Sequence, residues 1–245
     1  MDNLKEIFYK ESKFGGFSDV DGTIAFYTRI NALLSASDVV LDIGCGRGAF
    51  LEDEIQYRRN LRNLRGKVTQ VIGIDVDPAS ADNASIDEFK LIVDGQEWPI
   101  ADNSIDLAFS DQVLEHIQNP DFFFQECKRV LKVGGYLCIR TTNSWGYIAF
   151  AAKLIPNRLH TKLLSKIQNN RKEDDVFPTE FKCNSIRRIK LQLKKNEFNS
   201  CVYGYDAEPS YANFNRFVYY IFWIIHRISP AYLKTTIISF SINES

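Results

Sequence analysis

Three acidic residues, each within or just after an apolar run, mark where this chain can do chemistry. They are Asp42 in Val39-Val40-Leu41-Asp42-Ile43, Asp75 in Val71-Ile72-Gly73-Ile74-Asp75, and Asp94 after Phe89-Lys90-Leu91-Ile92-Val93. The first runs into Gly44-Cys45-Gly46-Arg47-Gly48, a turn whose glycines let a ligand approach bare backbone. A loop that cradles a pyrophosphate on a helix N-terminus has the spacing G-x-G-x-x-G. Here the spacing is G-x-G-x-G and an acid precedes it. That acid would repel a diphosphate and suits a ligand with an ammonium group. A carboxylate closing the second strand can accept two ribose hydroxyls, which disfavours NADP but not NAD. An acid at the edge of the third strand can accept a hydrogen bond from an adenine amino group. Three separately placed acids are much more specific than one glycine loop.

The elements that must hold these acids follow from hydropathy patterning. Apolar, β-branched runs at 38–43, 71–75, 89–93, 105–110 and 136–140 suit strands buried on both faces. Helical patterns at 50–64 and 121–131 separate them, and the alternation predicts a parallel sheet with helices on both faces. Asn119-Pro120-Asp121 reads as a helix start, and Lys132-Val133-Gly134-Gly135 as its end. Beyond residue 150 the pattern breaks at Pro156, the polar stretch 168–175 and Pro178, as expected of a substrate-facing insertion. A basic helix is expected at 184–195, strands at 198–205 and 235–242, and an aromatic helical insertion at 211–233 between them.

With 245 residues, 45% of them hydrophobic, the chain can form one substantial core, so a single domain is expected. Its parts read as an N-terminal cap (1–35), a ligand-binding core (36–142), an insertion (143–197) and the last two strands (198–245). The net charge of -1 gives no general basic field for nucleic acid, and no nucleic-acid partner is expected. Five widely spaced cysteines without a C-x-x-C pair suggest reduced thiols in a cytoplasmic protein, and no metal site is expected. The N-terminus lacks the pattern of a secretory signal.

The ordered motifs resemble those of class I S-adenosylmethionine-dependent methyltransferases, of the type 11-like kind. They are Leu41-Asp42-Ile43-Gly44-Cys45-Gly46-Arg47-Gly48, Gly73-Ile74-Asp75, Trp98-Pro99 with 103–110, Val113-Leu114-Glu115-His116-Ile117, and Arg129-Val130-Leu131-Lys132-Val133-Gly134-Gly135. The resemblance covers residues 38–142. It implies a Rossmann-like α/β fold with a seven-stranded, mostly parallel sheet in the order 3-2-1-4-5-7-6, the last strand antiparallel. It implies S-adenosylmethionine as cofactor and S-adenosylhomocysteine as product. Asp42, Gly44, Cys45 and Gly46 would hold the methionine end. Asp75 with Val76 would hold the ribose, Asp94 and Gly95 would border the adenine, and Asp111 and Gln112 would lie beside the sulfonium. The segments 21–27 and 175–181 are similar to a bacterial subgroup associated with surface-polysaccharide gene clusters. An NAD-dependent oxidoreductase and a noncatalytic cofactor-binding module are the competing readings.

Methyl transfer from a sulfonium is an in-line displacement that chiefly needs alignment and exclusion of water. A hydroxyl acceptor, on a small molecule or glycan, also needs a base, and histidine is the readiest. Of the three histidines, His116 after the fourth strand and His160 in the insertion are the catalytic candidates, while His226 reads as packing or surface. Local scaffolding is the competing role for His116 and the favoured one for Glu115. Tyr27 and Arg29 either close over the cofactor carboxylate or cover the sheet, and Cys45 reads as small apolar packing.

The segment 214–228 puts Phe214, Phe217, Val218, Ile221, Ile225 and Ile228 on one helical face. Packing on the sheet or in a homodimer is the favoured expectation. The alternative is an interfacial helix on the inner face of a membrane bearing a lipid-linked acceptor. The apolar run itself is far short of the ~20 residues a span requires. The basic run at 187–190 with Lys194-Lys195 suits a solvated helix face, an anionic lipid or a phosphorylated acceptor.

Overall fold

A computed structural model describes residues 4–147 and 179–245. The apolar runs become strands in the order the chain supplies them, with helices between. Along the chain lie α1 (Leu4–Phe8), α2 (Gly22–Leu33), β1 (Val39–Ile43), α3 (Gln56–Arg62), β2 (Gln70–Asp75), β3 (Glu88–Leu91), β4 (Ile105–Asp111) and α4 (Pro120–Val130). β5 (Leu131–Thr142), α5 (Ile186–Lys195), β6 (Phe198–Tyr205), α6 (Arg216–Ile228) and β7 (Thr236–Asn243) complete them. The sheet order is β3-β2-β1-β4-β5-β7-β6. β1 pairs in parallel with both β2 and β4, whereas β7 runs antiparallel to both β5 and β6. The strand order reverses between β1 and β4, so a ligand crevice falls at their C-terminal ends.

Alternation along each strand sends side chains to two packed layers. Leu41, Ile43 and Ile74 join Phe123, Phe124, Ile189 and Leu193 of α4 and α5 on one face. Val40, Val71, Leu107 and Phe109 join Phe26, Tyr27 and Ile30 of α2 on the other. Asp42 and Asp111 have the parity of this second face, which places both carboxylates beneath α2 and α3. Helix starts are capped by Asp21, which accepts from Thr23 and Ile24 N–H at 2.9 and 3.0 Å, and by Asn119 ahead of Pro120.

Three elements differ from expectation for local reasons. The helix expected at 50–64 is a 3-10 turn (Ala49–Glu52) followed by α3, because the Asp53 side chain takes the Ile55 N–H at 3.0 Å and interrupts the helix. β3 stops at Leu91, so Asp94 and Gly95 lie beyond the strand in an exposed turn where Gly95 has φ +75°. β5 starts at Leu131, directly after α4, instead of near residue 136. It carries Gly134 and Gly135 through a register shift against β4.

The Trp98-Pro99 and Arg129 motifs turn out to be one structural joint. Glu126 accepts the Trp98 N–H at 2.7 Å, and Arg129 grips Glu126 while donating to the carbonyls of Trp98 and Ile100 at 3.0 and 2.7 Å. Glu126→Ala would strand a buried N–H and is expected to cost about 1–3 kcal/mol of stability, read as a lower denaturant midpoint. An unchanged midpoint would remove this motif from the fold's supports.

Candidate functional site

The glycine turn is built tight on one side and open on the other. Gly44 has φ +72°, and a Cβ there would lie 2.4 Å from Cγ2 of Val113, because the loops after β1 and β4 meet at this point. Gly46 has φ +52°, and a Cβ there would meet nothing within 4 Å. The turn is therefore closed by packing at Gly44 and offers bare backbone to open space at Gly46. Asn83 braces it from below, donating to the carbonyls of Cys45 and Gly46 at 3.0 Å each. Asp75 accepts the N–H groups of Gly46 and Asp77, both at 2.9 Å. A carboxylate has about four acceptor positions, so two remain for a vicinal diol.

Beside the turn, two carboxyls in one crevice have opposite fates. Asp111 lies against Arg140, which donates to it at 2.6 and 2.7 Å, and the Tyr27 hydroxyl donates to it at 3.1 Å. Burial would raise its pKa, but Arg140 overcomes that and holds the carboxyl below the usual range. Asp42 has no such pairing. Burial foremost, with the like charge of Asp111, pushes it up to about 8 against the attraction of Arg62. A cavity of about 50 Å³ opens here, lined by Tyr27, Asp42, Phe50, Arg62 and Asp111 among others. Arg62 stacks over Phe50 and Tyr27, 4.6 and 5.4 Å from the ring centroids, while its buried Nε has no hydrogen-bond partner. A carboxyl that an ammonium would ionise and an under-satisfied guanidinium on one cavity suit a zwitterion, ammonium to Asp42 and carboxylate to Arg62.

The remaining sequence candidates are spread around this centre. Val76 follows Asp75 and is exposed, as are Asp94 and Gly95 across the crevice rim. Gln112 has φ +60°, a strained backbone for a non-glycine residue; its N–H donates to Arg140 O at 2.8 Å and its Oε1 accepts from Thr142. Asp111, expected beside a sulfonium, lines the cavity but is bound to β5 through Arg140. His116 is partly buried on the 3-10 turn Leu114–His116. Its neighbour Glu115 is buried and accepts from Thr141 and Thr142 at 2.8 and 3.2 Å, a scaffolding role. His160 lies outside the described residues. His226 is buried between Ala207 O (2.8 Å) and the Tyr147 hydroxyl (2.7 Å), and burial lowers its pKa. Cys45 packs against Gly73, and burial pushes its thiol well up, so it stays protonated. Tyr27 reaches the site, whereas Arg29 lies over Phe240 instead. Among the described residues no group of His, Cys, Asp and Glu is arranged to hold a metal.

Sequence reasoning missed Arg140, Arg62 as a cavity residue, and Asn83. Arg140 closes the run expected as a strand at 136–140, but the parallel register that pairs it with Asp111 at the end of β4 is set by the fold and no local pattern reveals it.

A doubly wound sheet with an acid-flanked glycine turn at its switch point defines a binding domain for an adenosine-bearing ligand with an amino-acid end. The comparisons agree with that class. Residues 41–139 match the family model described as a methyltransferase domain. A protein of Mycolicibacterium smegmatis named "Probable S-adenosylmethionine-dependent methyltransferase" is 30% identical over 120 residues, 48% of this chain and 42% of that protein. The ubiquinone biosynthesis O-methyltransferase of Rhizobium leguminosarum bv. trifolii is 29% identical over 104 residues, 42% of this chain and 40% of that protein. The matched region thus spans only about two fifths of these curated relatives. In fold, the chain is similar to an S-adenosylmethionine-dependent methyltransferase from Mesorhizobium loti, with TM-score 0.54 and 15% identity over 89% of this chain and 97% of that one. Residues 41–139 thus match a methyltransferase domain, within a seven-stranded sheet of the order expected for class I S-adenosylmethionine-dependent methyltransferases. The residues present fit that cofactor: Asp42 its ammonium, Arg62 its carboxylate, Asp75 its ribose and Gly46 its close approach.

Proposed function

We propose that this protein transfers a methyl group from S-adenosylmethionine to an oxygen of a small-molecule or glycan acceptor. The observation that carries the reading is the placement of Asp42 on the cavity beside an open glycine turn, with Asp75 closing the neighbouring strand. A dinucleotide would set a diphosphate against Asp42, which disfavours the oxidoreductase reading. Oxygen as the acceptor atom is supported by the matched ubiquinone biosynthesis O-methyltransferase. A glycan acceptor is supported by the resemblance of segments 21–27 and 175–181 to the polysaccharide-cluster subgroup.

When bound, the cofactor supplies an electrophilic methyl on sulfur. The chain orients it: Asp42 and Arg62 hold the amino-acid end, Asp75 the ribose, and Tyr27 and Phe50 wall the amino-acid cavity. In this reading His116, on the turn after β4, takes the acceptor hydroxyl proton, with His160 as the other candidate base.

Calorimetric titration tests the reading. S-adenosylmethionine and S-adenosylhomocysteine are expected to bind and NAD not to; binding of NAD alone would overturn it. Methyl transfer to an acceptor in a cell extract separates an enzyme from a noncatalytic module. Asp75→Ala is expected to weaken S-adenosylhomocysteine about thirtyfold, through loss of the diol contacts and of the brace on Gly46. Unchanged affinity would remove Asp75 from the ribose site.

A further inference from the structure

The helix α6 turns the Phe217, Ile221 and Ile228 part of its apolar stripe away from the other described residues, while Val218 and Ile225 are partly buried. Tyr219 and His226, seven residues apart, form its buried side, and Tyr219 packs at a tilt against Phe8 of α1, ring centroids 4.9 Å apart. Phe222 packs on Tyr147 at 4.6 Å. The opposite side carries Phe217, Ile221 and Ile228, spaced to fall on one face, with Phe217 70% and Ile228 75% exposed. Phe214 ahead of the helix and Tyr232 and Leu233 after it are exposed as well. Packing on the sheet, the favoured expectation for this stripe, is therefore not what the fold does with it. Among the described residues no helix is long and apolar enough to cross a membrane.

The charges around the stripe say what covers it. From Pro209 to Asn243 the chain holds no aspartate or glutamate, while Arg216 and Arg227 are both exposed on the flanks of α6. The Arg227 guanidinium lies 3.7 Å over the Trp223 ring, an arrangement that keeps cation and aromatic together at a polar boundary. A second copy of this chain is a poor occupant. Two-fold pairing sets the same patch against itself, so the arginines of both copies would meet, while the acids that act on Tyr9 together with Arg227, Glu208 with Glu11 and Asp19, gather around that ring on the buried side of α6 and not on the exposed face. An apolar face with aromatic members and flanking arginines matches a bilayer whose headgroups are negative. We infer that α6 is an interfacial anchor that lies in the surface of an anionic membrane, its Phe217–Ile228 face in the acyl boundary and Arg216 and Arg227 among the headgroups.

Cosedimentation of the full chain with vesicles of phosphatidylcholine alone, or of phosphatidylcholine mixed with phosphatidylglycerol, tests this. The chain is expected to pellet with the anionic vesicles. Arg216→Gln and Arg227→Gln should each lower the partition coefficient about fivefold, and high salt should mimic them. The Phe217→Ser/Ile221→Ser double variant, at exposed positions, should keep its circular dichroism and melting temperature and lose vesicle binding. Equal partition into both vesicle types would overturn the anionic assignment. Absence of binding, or binding unaltered in the double variant, would overturn the anchor. A lipid-free dimer in sedimentation velocity that the double variant dissolves would give the face to a second copy instead.

Discussion

Arg140→Leu is expected to lower the unfolding free energy by about 3–5 kcal/mol. Arg140 is only 8% exposed, gives Asp111 two hydrogen bonds and donates a third to Thr23 at 2.9 Å. Removing it leaves the Asp111 carboxylate buried beside Asp42, with only the Tyr27 hydroxyl and the longer ion pair to Arg62 at 3.7 Å to hold its charge. The variant would relieve this by protonating Asp111. In the native protein Asp111 is held below its ordinary pKa and stays ionised down to pH 4, whereas without Arg140 burial and Asp42 favour its protonated form, so between pH 7 and pH 4 it is the variant that recovers stability. The gap between native and variant stability should therefore narrow in acid. Urea unfolding at pH 7 and pH 4 measures both. The double variant Arg140→Leu/Asp111→Leu separates the cost of a stranded charge from that of lost packing, since replacing both partners by apolar groups is often close to neutral. A loss under about 1 kcal/mol at pH 7, or an equal loss at pH 4, would show that the pair is not what holds β4, β5 and α2 together.

Arg140 also marks the boundary of what the primary structure makes legible. Strands showed themselves because buried parallel strands are continuous apolar runs, and Asp42 and Asp75 showed themselves because charge inside or at the end of such a run has no bland explanation. The register that sets Arg140 opposite Asp111 depends on two strands separated by α4, and no local pattern encodes it. Asp53 defeated the helix expected at 50–64 by a side-chain bond to its own backbone, an event invisible to periodicity. At α6 periodicity located an apolar stripe but had no means of saying which way it faces. Both sides of that helix are rich in apolar residues, and the aromatic cluster of Tyr9, Phe8 and Trp223 claimed the side containing Tyr219. The sequence could not choose a base between His116 and His160, because a base is chosen by the acceptor it faces.

The second large effect concerns the acid that opened the site. With its pKa pushed up to about 8, Asp42 is mostly protonated at neutral pH in the ligand-free protein. An ammonium group beside it favours the carboxylate and lowers that pKa, so binding must release a proton. Affinity for S-adenosylhomocysteine is expected to rise about fiftyfold from pH 6 to pH 8, close to tenfold per unit at the acid end and flattening near 8. Calorimetry in buffers of different ionisation enthalpy would count the proton released. The same raised pKa carries a stability consequence of opposite slope: Asp42 favours the folded state below its unfolded value, and that contribution is lost as pH climbs through 8. Asp42→Asn should therefore stabilise the ligand-free protein at pH 8 while flattening the pH profile of binding and weakening it there. A profile that stays steep in Asp42→Asn would assign the proton to another group. A flat profile in the native protein would mean that no ammonium reaches Asp42, and with it the zwitterion pocket of Asp42 and Arg62 would fall.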